Sequence, residues 1–240
     1  MLIGIMGYKG SGKDTVADIL KNILKPKHEK FAFASKIKSD LTKIFDTPLS
    51  IFYNRDIKDN GYIKINNMDL DKVNDKFKEL YPYGTLIPFY KILKDDGYLK
   101  ERKPNFIKRI FGKKKLEYDL NIPIRNAMQM YGTEFMQAYF GSTVWSKNAP
   151  TKDTIITDVR FPHEINFIKN NGGIIVKVLN LQQLEKHMTG SEDNHKSESF
   201  FTLYKEQDYV IINDGVNVSS LVREIYNFLE ELEEDGIYER

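Results

Sequence analysis

Apolar residues along the chain alternate between short continuous runs and stretches with helical spacing. Residues 2–6 form a run of about five mostly apolar positions, which is short enough to be a buried strand. Behind this run, Val16, Ile19, Leu20 and Ile23 recur at the spacing of one helix face. The N-terminal stretch therefore predicts a strand followed by a helix.

The same alternation continues toward the other end of the chain. Further strands are expected over 30–34, 154–158, 174–179 and 209–212. Helices are expected behind Ser35 as an N-cap, over 122–140 with Pro123 in the first turn, from Pro162 onward, and over 221–232. Strands that alternate with helices predict an α/β fold with a doubly wound parallel sheet.

The texture changes between residues 46 and 119, where turn clusters and tyrosines replace the regular pattern. We interpret about 46–120 as an insertion, part helix and part loop, within a single domain of residues 1–240. Its second half is basic, since 98–115 holds eight Lys or Arg against one Glu. That stretch indicates either nucleic-acid binding or, as the favoured interpretation, a solvated face beside a site for anionic nucleotides.

Composition narrows the class of protein. The chain has 240 residues, a net charge of +2 and no cysteine, so disulfides, thiol nucleophiles and cysteine-based zinc sites are excluded. The first apolar run is too short and lacks the basic leader of a signal peptide. No run approaches the roughly 20 apolar residues of a membrane span. A soluble intracellular protein is expected.

A glycine-rich loop lies between the first strand and the first helix. Gly7, Gly10 and Gly12 precede Lys13 in the spacing Gly-x4-Gly-Lys. Glycines let backbone N–H groups turn inward around phosphate oxygens, and the helix N-terminus adds partial positive charge there. The stretch predicts a phosphate-binding loop, with Lys13 directed at the β- and γ-phosphates.

The residue after the loop lysine departs from the usual motif. Most such loops carry Ser or Thr there, and its hydroxyl ligates Mg²⁺. This chain has Asp14, which can hold Mg²⁺ directly or through water, and Thr15 offers a hydroxyl one residue later. Both residues are candidate magnesium ligands.

A second polar group follows the strand expected over 154–158. Asp158 lies where it can reach Mg²⁺ through water, and Arg160 can clamp a phosphate with its planar guanidinium. Glu164 can orient Arg160 or a substrate hydroxyl. The alternative is an Asp N-cap beside a surface Arg–Glu pair. Because the carboxyl ends of parallel strands share one edge, these residues should converge with the loop.

The long helix predicted over 122–140 carries a polar stripe. Arg125, Gln129 and Thr133 are four apart and share one face, suited to a phosphate and a base edge, although a merely solvated face is the alternative. Gly132 interrupts the helical pattern and predicts a close approach to the backbone. Trp145, the only tryptophan, fits either core packing or stacking on a base.

Several motifs in this order resemble one known family, the deoxynucleoside monophosphate kinases of tailed bacteriophages. The motifs are GYKGSGKDTVAD at 7–18, FAFASK at 31–36, QMYGTE at 129–134, Trp145, DVRFPHE at 158–164 and HKSE at 195–198. They span nearly the whole chain except the insertion. The resemblance implies a three-layer P-loop kinase fold with a mobile lid, here about 180–199. It also implies transfer of the ATP γ-phosphoryl group to a deoxynucleoside monophosphate.

The same resemblance assigns the site residues. It implies ATP binding by Gly10, Ser11, Gly12, Lys13, Asp14 and Thr15, with Mg²⁺ at Asp14 or Thr15. It implies an acceptor pocket of Lys36, Arg125, Asn126, Gln129, Gly132, Thr133, Trp145, Asp158, Arg160 and Glu164, although relatives tend to carry Lys in place of Asn126. The expected catalytic residues are Lys13, Arg125, Arg160 and Asp158.

Two other functions stay open at this level. One is a kinase of another small phosphorylated acceptor such as phosphomevalonate, against which Gln129 and Trp145 argue. The other is a nucleic-acid-binding ATPase that uses 98–115. The expected partners are ATP and a deoxynucleoside monophosphate, with neither membrane nor nucleic acid, in the cytoplasm, which for a viral protein is that of the host. The accepted bases and the oligomeric state, a homodimer included, stay open.

Overall fold

The computed structural model describes residues 1–102, 116–182 and 206–238. Contacts divide the chain into two compact units. The parallel-sheet unit consists of Met1–Phe33 and Trp145–Arg240, and the antiparallel-sheet unit consists of Ala34–Val144. The second unit therefore begins and ends outside the stretch that the sequence pattern set apart.

The parallel-sheet unit holds a five-stranded sheet in the order β2-β6-β1-β7-β8, and every pair is parallel. Its strands are β1 (Leu2–Met6), β2 (Glu29–Phe31), β6 (Thr154–Ile156), β7 (Ile174–Asn180) and β8 (Tyr209–Asn213), and its helices are α1 (Lys13–Ile23), α8 (Pro162–Asn170) and α9 (Val218–Glu234). The predicted α/β fold with a parallel sheet is confirmed.

The central strand of this sheet explains why the first apolar run is continuous. All five residues of β1 are buried, because helices cover both faces of a parallel sheet. Val16 and Leu20 of α1 and Ile225 and Leu229 of α9 join one buried core with Ile3 of β1. This core holds the sheet together, and because all of its strands run parallel, their carboxyl ends lie at one edge.

The antiparallel-sheet unit contains a three-stranded sheet in the order β3-β5-β4, which the interpretation of 46–119 as helix and loop missed. Its strands are β3 (Tyr62–Met68), β4 (Leu99–Arg102) and β5 (Glu117–Pro123). Its helices are α2 (Ala34–Phe45), α3 (Arg55–Asn60), α4 (Leu70–Leu80), α5 (Ile87–Asp95), α6 (Ile124–Gln129) and α7 (Ala138–Phe140), with a 3₁₀ turn at Leu49–Phe52.

The signal for the missed sheet was a two-residue period that the surrounding turns obscured. In β5, Tyr118, Leu120 and Ile122 are buried and alternate with more exposed residues. Ile122 pairs with Ile63 of β3, and Leu120 pairs with Leu99 of β4. One face of the sheet is therefore buried and the other faces outward, as is usual for antiparallel sheets.

Several predicted element boundaries are wrong. The strand predicted over 154–158 ends at Ile156. The helix α2 begins at Ala34, so Ser35 lies inside the first turn instead of capping it, and β2 ends at Phe31. Ile122 belongs to β5, so the following helix begins at Ile124 and Pro123 is its N-cap residue. In each case the chain passes from strand to helix within a few residues, a step that periodicity locates poorly.

The long helix predicted over 122–140 contains a π-helical stretch, Met130–Gln137, between α6 and α7. The predicted close approach at Gly132 is present in this stretch. A Cβ placed on Gly132 would lie 2.6 Å from Cδ1 of Ile37, which belongs to α2. A larger residue at this position would require the end of the Ile37 side chain to move, and π-helical turns are frequent at functional sites.

Some predictions fall outside the described residues. These are most of the basic stretch 98–115, which is described only as far as 102, most of the lid expected over 180–199, and the motif at 195–198. Within residues 1–102, 116–182 and 206–238, no helix has the length and apolar content needed to cross a membrane.

Candidate functional site

The loop between β1 and α1 has a backbone that only glycine tolerates at several positions. Gly10 has φ 79° and Gly12 has φ 96°, both in the left-handed region. A Cβ on Gly7 would lie 2.6 Å from Oγ of Ser11 and from the carbonyl oxygen of Val178. The three glycines are therefore required by backbone conformation and by space, which explains the spacing seen in the sequence.

A contact from the last strand holds this loop closed. Nδ2 of Asn213, at the end of β8, donates to the carbonyl oxygen of Ser11 over 3.0 Å. Its Oδ1 accepts the backbone N–H of Gly215, which fixes the amide. Sequence reasoning missed Asn213, although its position at the carboxyl end of a predicted strand was the available signal.

Lys13 is the first residue of α1, and its ammonium lies over the loop. Its Nζ donates to the carbonyl oxygens of Gly7 at 2.7 Å and Tyr8 at 2.6 Å. Oγ of Ser11 is fully buried and has no hydrogen-bond partner among the described residues. A glycine cradle, an ammonium and an orphaned hydroxyl at a helix N-terminus fit a phosphate group.

The candidate magnesium ligands lie in the first turn of α1. Asp14 and Thr15 are both exposed there. The described ranges hold no group of three or more His, Asp or Glu side chains placed to bind a metal. A site of one or two protein oxygens fits Mg²⁺, which usually keeps several waters and binds substrate phosphates as well.

Asp158 follows β6 and ties together two strand ends. Its Oδ1 accepts the backbone N–H of Phe33 over 2.8 Å, just beyond β2. The backbone N–H of Val159 donates to the carbonyl oxygen of Ile5 in β1. The parallel sheet therefore brings Asp158, the glycine loop and Asn213 to the same edge, as the sequence predicted for the first two.

Glu164 is buried near the start of α8 and acts on the backbone. Its Oε2 accepts the N–H of Arg160 at 2.7 Å and of Phe161 at 3.0 Å. Burial, with the charge of Asp158 as a second cause, raises the pKa of Glu164 to about 8. Because Phe161 is the N-cap residue, the Asp N-cap alternative is wrong. Glu164 fixes the backbone of Arg160, and Arg160 itself is exposed.

Trp145 is only 5% exposed. A base can stack only on a ring face that is accessible. This burial favours the core-packing alternative that the sequence left open.

In the antiparallel-sheet unit, Lys36 is paired with a buried carboxylate that sequence reasoning missed. Nζ of Lys36 donates to Oδ1 of Asp40, one turn later on α2. Oδ2 of Asp40 accepts hydrogen bonds from Tyr81 and Tyr131. Tyr131 precedes Gly132 in the π-helical stretch, so this unit brings Lys36 and the segment of Gly132 together.

The other expected acceptor residues of this unit lie on α6 and in the π-helical stretch. Nε of Arg125 donates to Oδ1 of Asp59 in α3 over 2.5 Å. Nδ2 of Asn126 donates to the hydroxyl of Tyr98 over 2.8 Å, which gives this residue a structural contact. Gln129 and Thr133 are both half-buried.

Comparison with known protein families shows the family to which this chain belongs. The family described as deoxynucleotide monophosphate kinase matches residues 1–225. The chain belongs to that family. It is therefore a nucleotide kinase, a phosphotransferase, and the resemblance drawn from the motifs is confirmed. Neither the phosphomevalonate-type kinase nor the nucleic-acid-binding ATPase is favoured.

Two relatives cover most of the chain. The deoxynucleoside-5'-monophosphate kinase of Escherichia phage T5 is 25% identical over an alignment of 253 residues including gaps, which covers 96% of this chain and 96% of that protein. A protein of Acanthamoeba polyphaga mimivirus, provisionally named a deoxynucleotide monophosphate kinase, is 28% identical over 214 residues, 89% of each chain. Proteins similar to this chain therefore occur in two kinds of virus.

A solved structure, that of TT1252 from Thermus thermophilus, aligns over 97% of both chains. The sequence identity is 14% and the TM-score is 0.35, which is too low to support a conclusion about this chain.

Proposed function

We propose that the chain transfers the γ-phosphoryl group of ATP to a deoxynucleoside monophosphate, with Mg²⁺ bound to the phosphates. The products are ADP and the deoxynucleoside diphosphate. The observation that carries the proposal is the glycine loop with Lys13 at the start of α1, in a chain that belongs to the deoxynucleotide monophosphate kinase family.

The donor half of the site consists of residues 10–15. Backbone N–H groups of the loop and of the first turn of α1 would bind the β- and γ-phosphates. The ammonium of Lys13 already lies over the loop, bound to two carbonyl oxygens, and it would donate to the phosphates from there. Asp14 or Thr15 would hold Mg²⁺, which neutralises charge on the phosphates when it is bound.

The residues proposed to bind the phosphate and the base of the acceptor lie in the antiparallel-sheet unit. Lys36 and Arg125 would bind the phosphate of the monophosphate, and Gln129 would donate to or accept from a base edge. Gly132 and Thr133 would line the pocket beside Lys36. Asn126 bonds to Tyr98 and Trp145 is buried, so neither is proposed to contact the acceptor directly.

The reaction needs no general base in this proposal. The attacking atom is a phosphate oxygen of the acceptor, which is already ionised at neutral pH. Catalysis then consists of alignment and of cations that offset the charge of the transferring group. Lys13, Arg125 and Arg160 would supply those cations.

The backbone of Arg160 is held in place, which supports its proposed role as a cation beside the transferring group. Glu164 holds the N–H of Arg160, and Asp158 is held by the N–H of Phe33. Arg160 itself is exposed, so its guanidinium is accessible to a phosphate. Asp158 would act on Mg²⁺ through water, as an acid at this position does in other phosphate-loop enzymes.

The proposal is tested with a coupled assay of ADP production against eight nucleoside monophosphates, four with ribose and four with deoxyribose. We expect ADP release that depends on the monophosphate, with at least one deoxynucleotide among the substrates. Lys13→Ala serves as the matched inactive control, because ADP made by a contaminating kinase would persist in it. The proposed function would be contradicted if none of the eight compounds caused release of ADP.

A further inference from the structure

Asp40 is a carboxylate without any solvent exposure in the middle of α2. Placing an ionised carboxylate in a protein interior costs several kcal/mol unless partners satisfy it. Such a group contributes little to stability compared with an apolar residue of the same size. Stability of the fold alone therefore does not explain why Asp40 is present at a buried position.

The two oxygens of Asp40 have different partners. Oδ2 accepts the hydroxyl of Tyr81 at 2.6 Å and the hydroxyl of Tyr131 at 3.2 Å. Burial and the charge of Asp40 raise the pKa of both phenols well above their usual range, so both keep their protons and donate. Oδ1 accepts from the ammonium of Lys36. Tyr131 is buried and Tyr81 is half-buried, whereas the lysine is exposed.

The two phenols are themselves held by aromatic contacts. The ring of Tyr81 stacks on Phe77 with centroids 4.9 Å apart. The ring of Tyr131 meets Phe89 edge to face at 5.5 Å. Tyr131 is fully buried. Because both rings are packed, Oδ1 of Asp40 has a fixed position.

Lys36 is the flexible partner that this fixed carboxylate restrains. Its side chain is 48% exposed, whereas that of Asp40 is 0% exposed. Its Nζ lies 5.2 Å from the centre of the Tyr81 ring. An ammonium has three donor hydrogens, so a bond to Asp40 still allows it to donate to an incoming anion. Without Asp40, a lysine of this exposure would sample many rotamers.

The same network reaches the other expected acceptor residues of the antiparallel-sheet unit. Tyr131 lies next to Gly132 in the π-helical stretch, and Gly132 packs against Ile37, the neighbour of Lys36. The bond from Tyr131 to Asp40 therefore sets the position of Lys36 relative to Gly132 and Thr133.

We propose that Asp40 is a positioning residue for the acceptor: with Tyr81 and Tyr131 behind it, it holds the ammonium of Lys36 where the phosphate of the monophosphate binds. The proposal rests on the proposed function. Asp40 does not touch the acceptor, and its effect passes through Lys36.

The test is a double-mutant cycle in the full chain, with the acceptor KM, the ATP KM and kcat as readouts. Lys36→Met should raise the acceptor KM by about tenfold or more, because a charge-assisted bond to phosphate is lost. Asp40→Asn should also raise the acceptor KM. In the Lys36→Met background, Asp40→Asn should change it by less than about twofold, since coupled residues are not additive. The ATP KM should stay within about twofold of the natural value throughout.

The matched control is Asp46→Asn. Asp46 follows the same helix and forms an ion pair with Lys76, but it is exposed and does not contact Lys36. This variant should leave both KM values unchanged. If Asp40→Asn does not fold, Tyr81→Phe replaces it in the cycle, because it keeps the carboxylate and removes only one hydrogen bond.

Equal effects of Asp40→Asn, or of Tyr81→Phe, in both backgrounds would overturn the proposal, because a general loss of structure does not depend on Lys36. An unchanged acceptor KM would overturn it as well. Measurements on the unmutated chain distinguish failure of the proposed function from failure of the role of Asp40. If the unmutated chain neither turns over nor binds a monophosphate, the proposed function is refuted. If it turns over normally and the two substitutions have additive effects, only the role of Asp40 is refuted.

Discussion

The two units of this chain build their candidate sites in different ways. In the parallel-sheet unit, consecutive residues 7–15 form the loop, and Lys13 is held by the backbone carbonyl groups of Gly7 and Tyr8. In the antiparallel-sheet unit, Lys36 is held by a side chain, and that side chain is held by Tyr131, which lies 91 residues beyond Asp40. The first site is local in sequence, and the second is assembled from distant segments.

This difference predicts different responses to mutation. A site made of backbone groups depends on the conformation of a few glycines and on one lysine. A site made of side chains depends on each partner in a network, and each partner contributes a smaller share. The substitutions below test this contrast, from the largest expected effect to the smallest.

Lys13→Ala should have the largest effect. We expect kcat to fall by roughly 10³-fold, because the ammonium is the main cation of the loop. Lys21→Ala, in the same helix, removes an ion pair with Glu29 on the surface and should leave kcat unchanged. Steady-state kinetics and a thermal melt of each variant would check this. Near-normal turnover of Lys13→Ala would contradict the assignment of the loop.

Gly12→Ala should act mainly on the binding of ATP. Gly12 has φ 96°, and a Cβ there would lie 2.6 Å from Nδ2 of Asn213, the residue that holds the loop closed. We expect the ATP KM to rise by roughly 10- to 100-fold, with a smaller change in the acceptor KM.

Gly236→Ala is the matched control for this change. Gly236 also has a positive φ, 69°, but a Cβ there would meet nothing within 4 Å. It should share the backbone strain, about 1 kcal/mol of stability, without any effect on the ATP KM. If the ATP KM of Gly236→Ala rose as much as that of Gly12→Ala, backbone strain and not the shape of the loop would explain the increase.

Arg125→Lys should act on the acceptor. Arg125 bonds to Asp59 through Nε, which orients the rest of its planar guanidinium. An ammonium cannot bond to Asp59 and clamp a phosphate in the same geometry, so we expect the acceptor KM to rise by about tenfold. Arg55→Lys, an exposed arginine at the start of α3, is the control. An unchanged acceptor KM in Arg125→Lys would remove Arg125 from the pocket.

Glu164→Gln should have the smallest kinetic effect and a clear effect on stability. The pKa of Glu164 is raised to about 8 from an ordinary value of 4.5. A carboxyl with a raised pKa stabilises the fold fully below its unfolded pKa, and this contribution is lost as the pH rises through about 8. Relative to Glu164→Gln, the free energy of unfolding of the natural chain should fall by more than about 1 kcal/mol between about pH 5 and about pH 8.

Glutamine can still accept the N–H groups of Arg160 and Phe161, so kcat should change by less than about threefold. Denaturant unfolding at several pH values measures the slope, and Glu230→Gln, at an exposed position of α9, is the control. Parallel pH profiles for the natural chain and Glu164→Gln would show that burial does not hold the proton on Glu164.

The parallel-sheet half was largely predictable from sequence because its signals are short-range. A continuous apolar run marks β1, helical spacing marks α1, and the glycines between them mark the loop. Asn213 escaped prediction, although it follows a predicted strand, because its contact with Ser11 depends on the pairing of β7 with β8 and of β7 with β1. Ser35 and Ile122 were misplaced for the opposite reason, because the strand-to-helix transitions around them are shorter than one helical period.

By itself, the sequence determined the parallel α/β fold and the glycine-rich loop, because strand period, helix period and glycine spacing are properties of neighbouring residues. The family followed from the resemblance of motifs that occur in order along the chain. Only the tertiary structure decided what surrounds Lys36, what caps α8 and how deeply Trp145 is buried. Those depend on contacts between residues far apart in the chain, such as Asp40 with Tyr81 and Tyr131. A carboxylate in an amphipathic helix has the same sequence signature on the surface and in the core, and folding determines which it is.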